Sequence, residues 1–150
     1  MVPTSMNKLR AWNLLADKAR VAADEAFAVV TAKRQTLAEL QLREERLREL
    51  HQDYRQNLLQ VQSETHAMGQ NANFRRYLAH IETLQGKLSD CRVEVERDLS
   101  TAWQAYQQAF LEVSKMEKMG ELEQGRLDRE RKKKEARQMD AMATLQFNHR

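Results

Sequence analysis

Two long stretches of the chain repeat apolar residues at alternating steps of three and four, and a short polar stretch separates them. The break is SETHAMGQNAN, residues 63–73. Before it, the repeat runs from Leu9 to Val61 and is interrupted only by Lys33, Glu44 and His51. A repeat this long with charged flanks is typical of a coiled-coil seam rather than of a single helix on a globular core.

After the break the repeat resumes and predicts a second seam. Two consecutive steps of four, from Cys91 to Val95 to Leu99, predict a stutter that unwinds the supercoil locally. The predicted seam residues are Phe74, Tyr77, Ile81, Leu84, Leu88, Cys91, Val95, Leu99, Ala102, Tyr106, Ala109, Val113 and Met116.

The two seams predict an all-α fold, a long antiparallel two-helix coiled-coil hairpin that forms a single domain. Helix one is expected over residues 5–63, the tip over 64–73 and helix two over 74–145. The single proline, Pro3, lies ahead of both helices, so it interrupts neither.

Folding the arms back about the break predicts which residues face each other. Tyr54 is expected opposite Leu84, and the alanine-rich stretch from Ala16 to Ala26 opposite the larger Val113, Met116 and Met119. The second arm is the longer one. Residues beyond about Lys133 are therefore expected to overhang without an intramolecular partner.

Several classes of protein do not fit this chain. Cys91 is the only cysteine, so no intramolecular disulfide framework is expected, and no apolar run approaches the ~20 residues of a membrane span. The histidines lack metal-ligand spacing, and no phosphate loop or catalytic set is present. We expect no enzyme, no metal and no cofactor.

Three features remain as candidates for contact with partners. A basic run at residues 126–137 is either a solvated helix with the pairs Asp128–Lys132 and Glu130–Lys134, a docking site for an acidic protein surface, or a nucleic-acid site, which the absence of interleaved aromatics disfavours. An apolar stripe follows the basic run and comprises Ala136, Met139, Met142, Ala143 and Leu145, with Phe147 nearby.

The third feature is a set of aromatic residues off the seam. Phe27, Trp103 and Phe110 either widen the core or form an exposed patch for a partner.

Three segments of the chain resemble the FliJ family of flagellar type III export proteins. They are LHQDYRQNL before the break, NFRRYLAHIETL after it, and the tail MEKMGELEQGRLDRERKKKEARQMDAMATLQF. The resemblance covers nearly the whole chain. One departure is Leu50, which is aliphatic where the family leads us to expect a tyrosine.

The resemblance implies a cytoplasmic stalk, peripheral to the inner membrane at the flagellar base, in the centre of the hexameric export ATPase ring. It also implies contact with the membrane export-gate protein and with export chaperones, and no nucleic acid. The implied gate contacts are Leu47, Leu50, Tyr54, Tyr77, Ile81 and Leu84. The implied ring contacts are Arg126, Arg129, Arg131, Lys132, Lys133, Lys134, Arg137, Met139 and Met142.

Three alternatives stay open at this point. One is a structural coiled-coil scaffold or dimerisation rod that associates through Phe27, Trp103 and Phe110. Another is the equivalent stalk of a virulence type III secretion system, which shares the architecture. The third is a basic nucleic-acid-binding rod, whose binding would depend steeply on salt.

Overall fold

The protein is an all-α helical hairpin of two long helices, as the repeats predict. The computed structural model describes residues 4–62 and 68–149, with side chains over 6–60 and 71–149. Helix α1 spans Thr4–Gln62 and helix α2 spans Met68–Asn148. The two helices pack against each other through side chains such as Ala23 with Val113 and Glu44 with Arg92.

The helix bounds differ from the expected ones mainly after the break. Helix α2 already begins at Met68, so Gly69 and Asn73, which the sequence assigned to the tip, lie inside it. It continues to Asn148, slightly past the expected end at 145. Residues 63–67 of the predicted tip lie outside the described residues.

The chain divides into two compact units, each made of one segment of α1 and one of α2. Unit 1 comprises Met1–Ala26 and Ala105–Arg150, and unit 2 comprises Phe27–Gln104.

The core of unit 1 includes alanines of α1 that pack against larger side chains of α2. Ala19 and Ala23 form a buried cluster with Val113, and Met116 packs against it. Ala16 is buried as well. Small side chains on one helix leave room for larger ones on the other, which confirms the predicted pairing of alanines with Val113 and Met116.

Unit 2 buries branched aliphatic side chains instead. Val30 is completely buried, and Leu40, Ile81 and Ala102 are each less than a tenth exposed. Each belongs to the repeat of its helix in which buried or half-buried residues recur every three or four positions, so each lies on the side that faces the other helix.

The predicted seam of α1 is confirmed. Every position of the repeat from Leu9 to Leu58 is buried or half-buried. The side chain of Val61, the last predicted position, lies outside those described.

The predicted seam of α2 is wrong at three positions. Tyr77, Leu84 and Cys91 are exposed, and the side chains that occupy the seam follow each of them by one residue. The steps therefore alternate between three and four without a stutter. The residues that fill these positions are Leu78, Gln85 and Arg92.

The predicted register near the tip is also wrong. Tyr54 stacks on Tyr77, with ring centroids 5.5 Å apart, rather than lying opposite Leu84. The correct partner lies one heptad earlier in α2, because α2 begins earlier than the sequence suggested.

Replacing Ala23 by leucine tests the alanine core of unit 1. A leucine there has no space between the helices, so we expect the free energy of unfolding to fall by about 1–3 kcal/mol. Its exposed neighbour Ala22 is the matched control, and Ala22→Leu should change stability by less than about 0.5 kcal/mol. Both are measured by chemical denaturation followed by far-UV circular dichroism. Equal effects of the two substitutions would contradict the packing described for Ala23.

Candidate functional site

Each polar residue that interrupts the α1 seam contacts a charged side chain of α2. In unit 2, Lys33 Nζ lies 3.5 Å from Asp98 Oδ2. His51 Nε2 lies 3.2 Å from Glu82 Oε1, a contact that becomes an ion pair when the histidine is protonated. In the sequence these residues appear only as interruptions of the repeat, because their partners can be identified only once the register is known.

The most buried of these pairs joins Glu44 to Arg92. Arg92 Nε donates to both carboxylate oxygens of Glu44, at 2.9 and 3.1 Å, and its Nη1 donates to Glu96 at 2.9 Å. The side chains of Arg92 and Glu44 are 29% and 28% exposed. The pKa of Arg92 is raised by its hydrogen bonds to Glu96 and Glu44. Removing Arg92 would leave the carboxylate of Glu44 in the seam without this partner, which is costly, whereas Arg92 keeps its contact with Glu96 when Glu44 is removed.

The predicted gate-contact residues fall into two groups in unit 2. Ile81 is 3% exposed, so it packs between the helices and presents no surface to a partner. Leu47 and Tyr54 are half-buried, and Tyr54 contacts Phe74 as well as Tyr77. These side chains support the hairpin rather than forming a free surface.

The remaining predicted gate contacts form one exposed face, which we call the tip face: Leu50, Tyr77 and Leu84. They are 41%, 55% and 36% exposed. Each directly precedes a seam residue: Leu50 precedes His51, Tyr77 precedes Leu78 and Leu84 precedes Gln85. These three seam residues share one heptad position. In an antiparallel pair, the residues that precede this position on the two helices lie on the same side of the seam. The free thiol of Cys91 lies one heptad beyond Leu84 on this side and is also exposed.

At its carboxyl end, α2 continues as a helix that no other described residue of the chain covers. Every residue from 129 to 149 is exposed, so this overhang begins ahead of the predicted Lys133. Met139 is 72% exposed, Met142 63% and Phe147 80%. The predicted apolar stripe is therefore present and uncovered.

Ion pairs in the basic run differ from those expected. Arg126 binds Glu123 at 2.6 Å and Glu130 at 2.7 Å, and Arg131 lies 3.6 Å from Asp128. The expected pairs Asp128–Lys132 and Glu130–Lys134 are wrong, because arginines engage both carboxylates.

The lysines of the basic run are consequently the available cations. Within the part of the chain that the structure describes, Lys132, Lys133 and Lys134 form no ion pair, and all three are exposed. Arg129 and Arg137 are exposed as well, whereas Arg126 is half-buried beside Glu123. Among the predicted ring contacts, Arg126 is therefore engaged within α2, where it links Glu123 to Glu130 at the start of the overhang.

The aromatic residues off the seam, Phe27, Trp103 and Phe110, are each partly exposed, and Trp103 and Phe110 have side-chain contacts within their own unit. In unit 2, the guanidinium of Arg34 lies 5.2 Å from the ring centre of Trp103, a cation–π geometry, and Phe27 is 44% exposed. In unit 1, Phe110 is 54% exposed and its ring lies 6.2 Å from that of Tyr106.

Neither helix, as far as it is described, has a stretch long and apolar enough to cross a membrane. No group of three or more His, Cys, Asp or Glu side chains among the described residues could hold a metal ion.

Comparison with known families decides the relationship. The family model described as "Flagellar FliJ protein" matches residues 10–150, nearly the whole chain. The chain belongs to the FliJ family. Membership makes it a component of the flagellar type III export apparatus, and the family is one of export components rather than of catalysts. No curated protein and no solved structure matches this FliJ-family chain.

The contact between Glu123 and Arg126 gives this FliJ-family hairpin a pH-dependent stability. The hydrogen bond from Arg126 lowers the pKa of Glu123, and the charges of Arg126 and Lys8 act in the same direction against partial desolvation. A carboxylate with a lowered pKa stabilises the fold above its unfolded pKa. That stabilisation is lost as the pH falls through the folded value.

We therefore expect Glu123→Gln to be less stable than the wild type at about pH 7, with the difference shrinking below about pH 4.5. Thermal unfolding followed by circular dichroism measures both proteins across this range. Glu121→Gln, at an exposed neighbouring position, is the control. A stability difference that does not change with pH would argue against the pairing.

Proposed function

We propose that this FliJ-family protein is the central stalk of the export ATPase ring, which promotes ring assembly and stimulates hydrolysis without hydrolysing nucleotide itself. The observation that carries the proposal is the overhang, in which every side chain from residue 129 to the end of α2 at Asn148 is exposed. A helix with both a basic segment and an uncovered apolar stripe is suited to enter a channel lined by other subunits.

The overhang offers two kinds of contact with the ring. Lys132, Lys133 and Lys134 have no competing ion pair among the described residues, so their charges remain available to acidic groups of the ATPase. Met139 and Met142 supply apolar area that can adapt to different subunits, because methionine is flexible. Charges steer the encounter and the apolar side chains hold the complex.

The tip face is proposed to contact the membrane export-gate protein. Leu50, Tyr77 and Leu84 are the exposed members of the predicted gate group, and they share one side of unit 2. Export chaperones are a further proposed partner of the hairpin. The protein would then act in the cytoplasm, peripheral to the inner membrane at the flagellar base.

The ring contact is tested by reversing the free charges of the overhang. Replacing Lys132, Lys133 and Lys134 by glutamate should reduce stimulation of the export ATPase about five- to tenfold, because attraction becomes repulsion. The measurement is the rate of ATP hydrolysis by the ATPase at increasing concentrations of each variant. Adding Arg131→Glu should reduce it further.

The matched control carries the same three lysine-to-glutamate changes at exposed positions of the paired helices, Lys87, Lys115 and Lys118. It should stimulate the ATPase like the wild type. Equal loss in both triple variants would point to a general effect of net charge.

Light scattering of the wild-type protein separates a monomeric stalk from a dimerisation rod.

The gate contact is tested by placing a polar residue on the tip face. Leu50→Ser and Leu84→Ser should each weaken binding to the cytoplasmic part of the export-gate protein about tenfold, since each removes a side chain available to a partner. Calorimetry gives the dissociation constants. The control is Leu42→Ser, because Leu42 is 53% exposed on the outer side of α1, away from the tip face. Unchanged affinity in both tip-face variants would remove these residues from the contact.

A further inference from the structure

Helix α2 carries two overlapping rows of residues in unit 2, either of which could form its seam. The rows share Phe74, Ile81, Leu88 and Val95, which lie seven residues apart. They differ at the three intervening positions. The observed row has Leu78, Gln85 and Arg92, and the other row has Tyr77, Leu84 and Cys91.

The row left outside is the more apolar of the two. Leucine and cysteine at 84 and 91 stand beside glutamine and arginine at 85 and 92. With 3.5 residues per turn in a coiled coil, a rotation of α2 by about 50° exchanges the rows. Burial of apolar area alone would favour the rotated arrangement, so another interaction must select the observed one.

The contact between Glu44 and Arg92 has the geometry needed to select the observed row. Arg92 Nε lies 2.9 Å from Oε1 and 3.1 Å from Oε2 of Glu44. Rotating α2 would bring Cys91 into the place of Arg92 and turn the guanidinium toward solvent. The carboxylate of Glu44 would then lie in the seam without this partner, which disfavours the rotated state.

We propose that Glu44 and Arg92 are positioning residues that set the rotation of α2 in unit 2 and thereby keep Tyr77, Leu84 and Cys91 on the surface. The pair exposes the α2 part of the tip face. That this face is a contact surface rests on the proposed function, whereas the rotation itself does not. The rotation can therefore be tested with the protein alone.

The chain contains its own reporter of this rotation. Cys91 is the only cysteine, and it is exposed in the observed arrangement, whereas rotation would move it to the half-buried place of Arg92 and so make it less accessible. The rate at which N-ethylmaleimide modifies Cys91 in the full chain therefore measures which row forms the seam.

Arg92→Glu places two carboxylates against each other in the observed arrangement and should favour the rotated one. We expect modification of Cys91 to slow about fivefold or more, in proportion to the population that rotates. The control is the charge-swapped double variant Glu44→Arg with Arg92→Glu. Both variants carry glutamate at position 92 beside Cys91, so its local effect on the reactivity of the thiol is the same in each. The double variant restores the ion pair, so its modification should be fast again.

Modification of Arg92→Glu as fast as that of the double variant, or faster, would overturn the proposal. If circular dichroism shows that Arg92→Glu has lost helix, Glu44→Leu decides instead, because it removes the carboxylate and adds an apolar side chain that favours burial of Cys91. Slower modification in Glu44→Leu than in the wild type supports the proposal, and an equal or higher rate overturns it. No export partner is present in these assays, so a negative result leaves the stalk function untouched.

Discussion

A pair of helices has only one seam, and this constraint governs the rest of the structure. Each helix can bury only the residues that recur at steps of three and four, so the interior is a single row of side chains from each side. Among the described residues no polar side chain is fully buried, yet Glu44 and Arg92 still occupy this row. Because the row is so narrow, one charged residue in it must find its partner directly across.

The two units meet the constraint with different side chains. Unit 1 uses alanines against Val113 and Met116, and it depends on close fit. Unit 2 combines the fully buried Val30 with charged residues in the α1 seam itself, Lys33 and Glu44, each paired with a residue of α2, and it depends on correct register. Polar residues in a coiled-coil seam commonly fix register and orientation at some cost in stability. Unit 2 is accordingly the part in which the orientation of a helix can be under the control of a few residues.

The sequence predicts the fold class and the α1 seam because both follow from apolar periodicity, which is a local property of the chain. It misplaces the α2 seam because Gln85 and Arg92 are polar and their apolar neighbours Leu84 and Cys91 fit the same period. Only the position of Glu44 on the other helix reveals why Arg92 is inside. The predicted gate contacts are separable from the core for a similar reason: Ile81 and Leu84 look equivalent in sequence, and only Ile81 is buried.

Core and contact surface exclude each other strictly in such a protein. A side chain in the single seam cannot also reach a partner, so binding residues must lie beside the seam or beyond the end of the pair. The overhang from residue 129 is the extreme case, since its helix is supported by propensity and neighbouring charge pairs rather than by packing. Its helical state presents Met139 and Met142 in a defined arrangement before binding. A partner that accepts this helix then meets less of the entropy cost of ordering it.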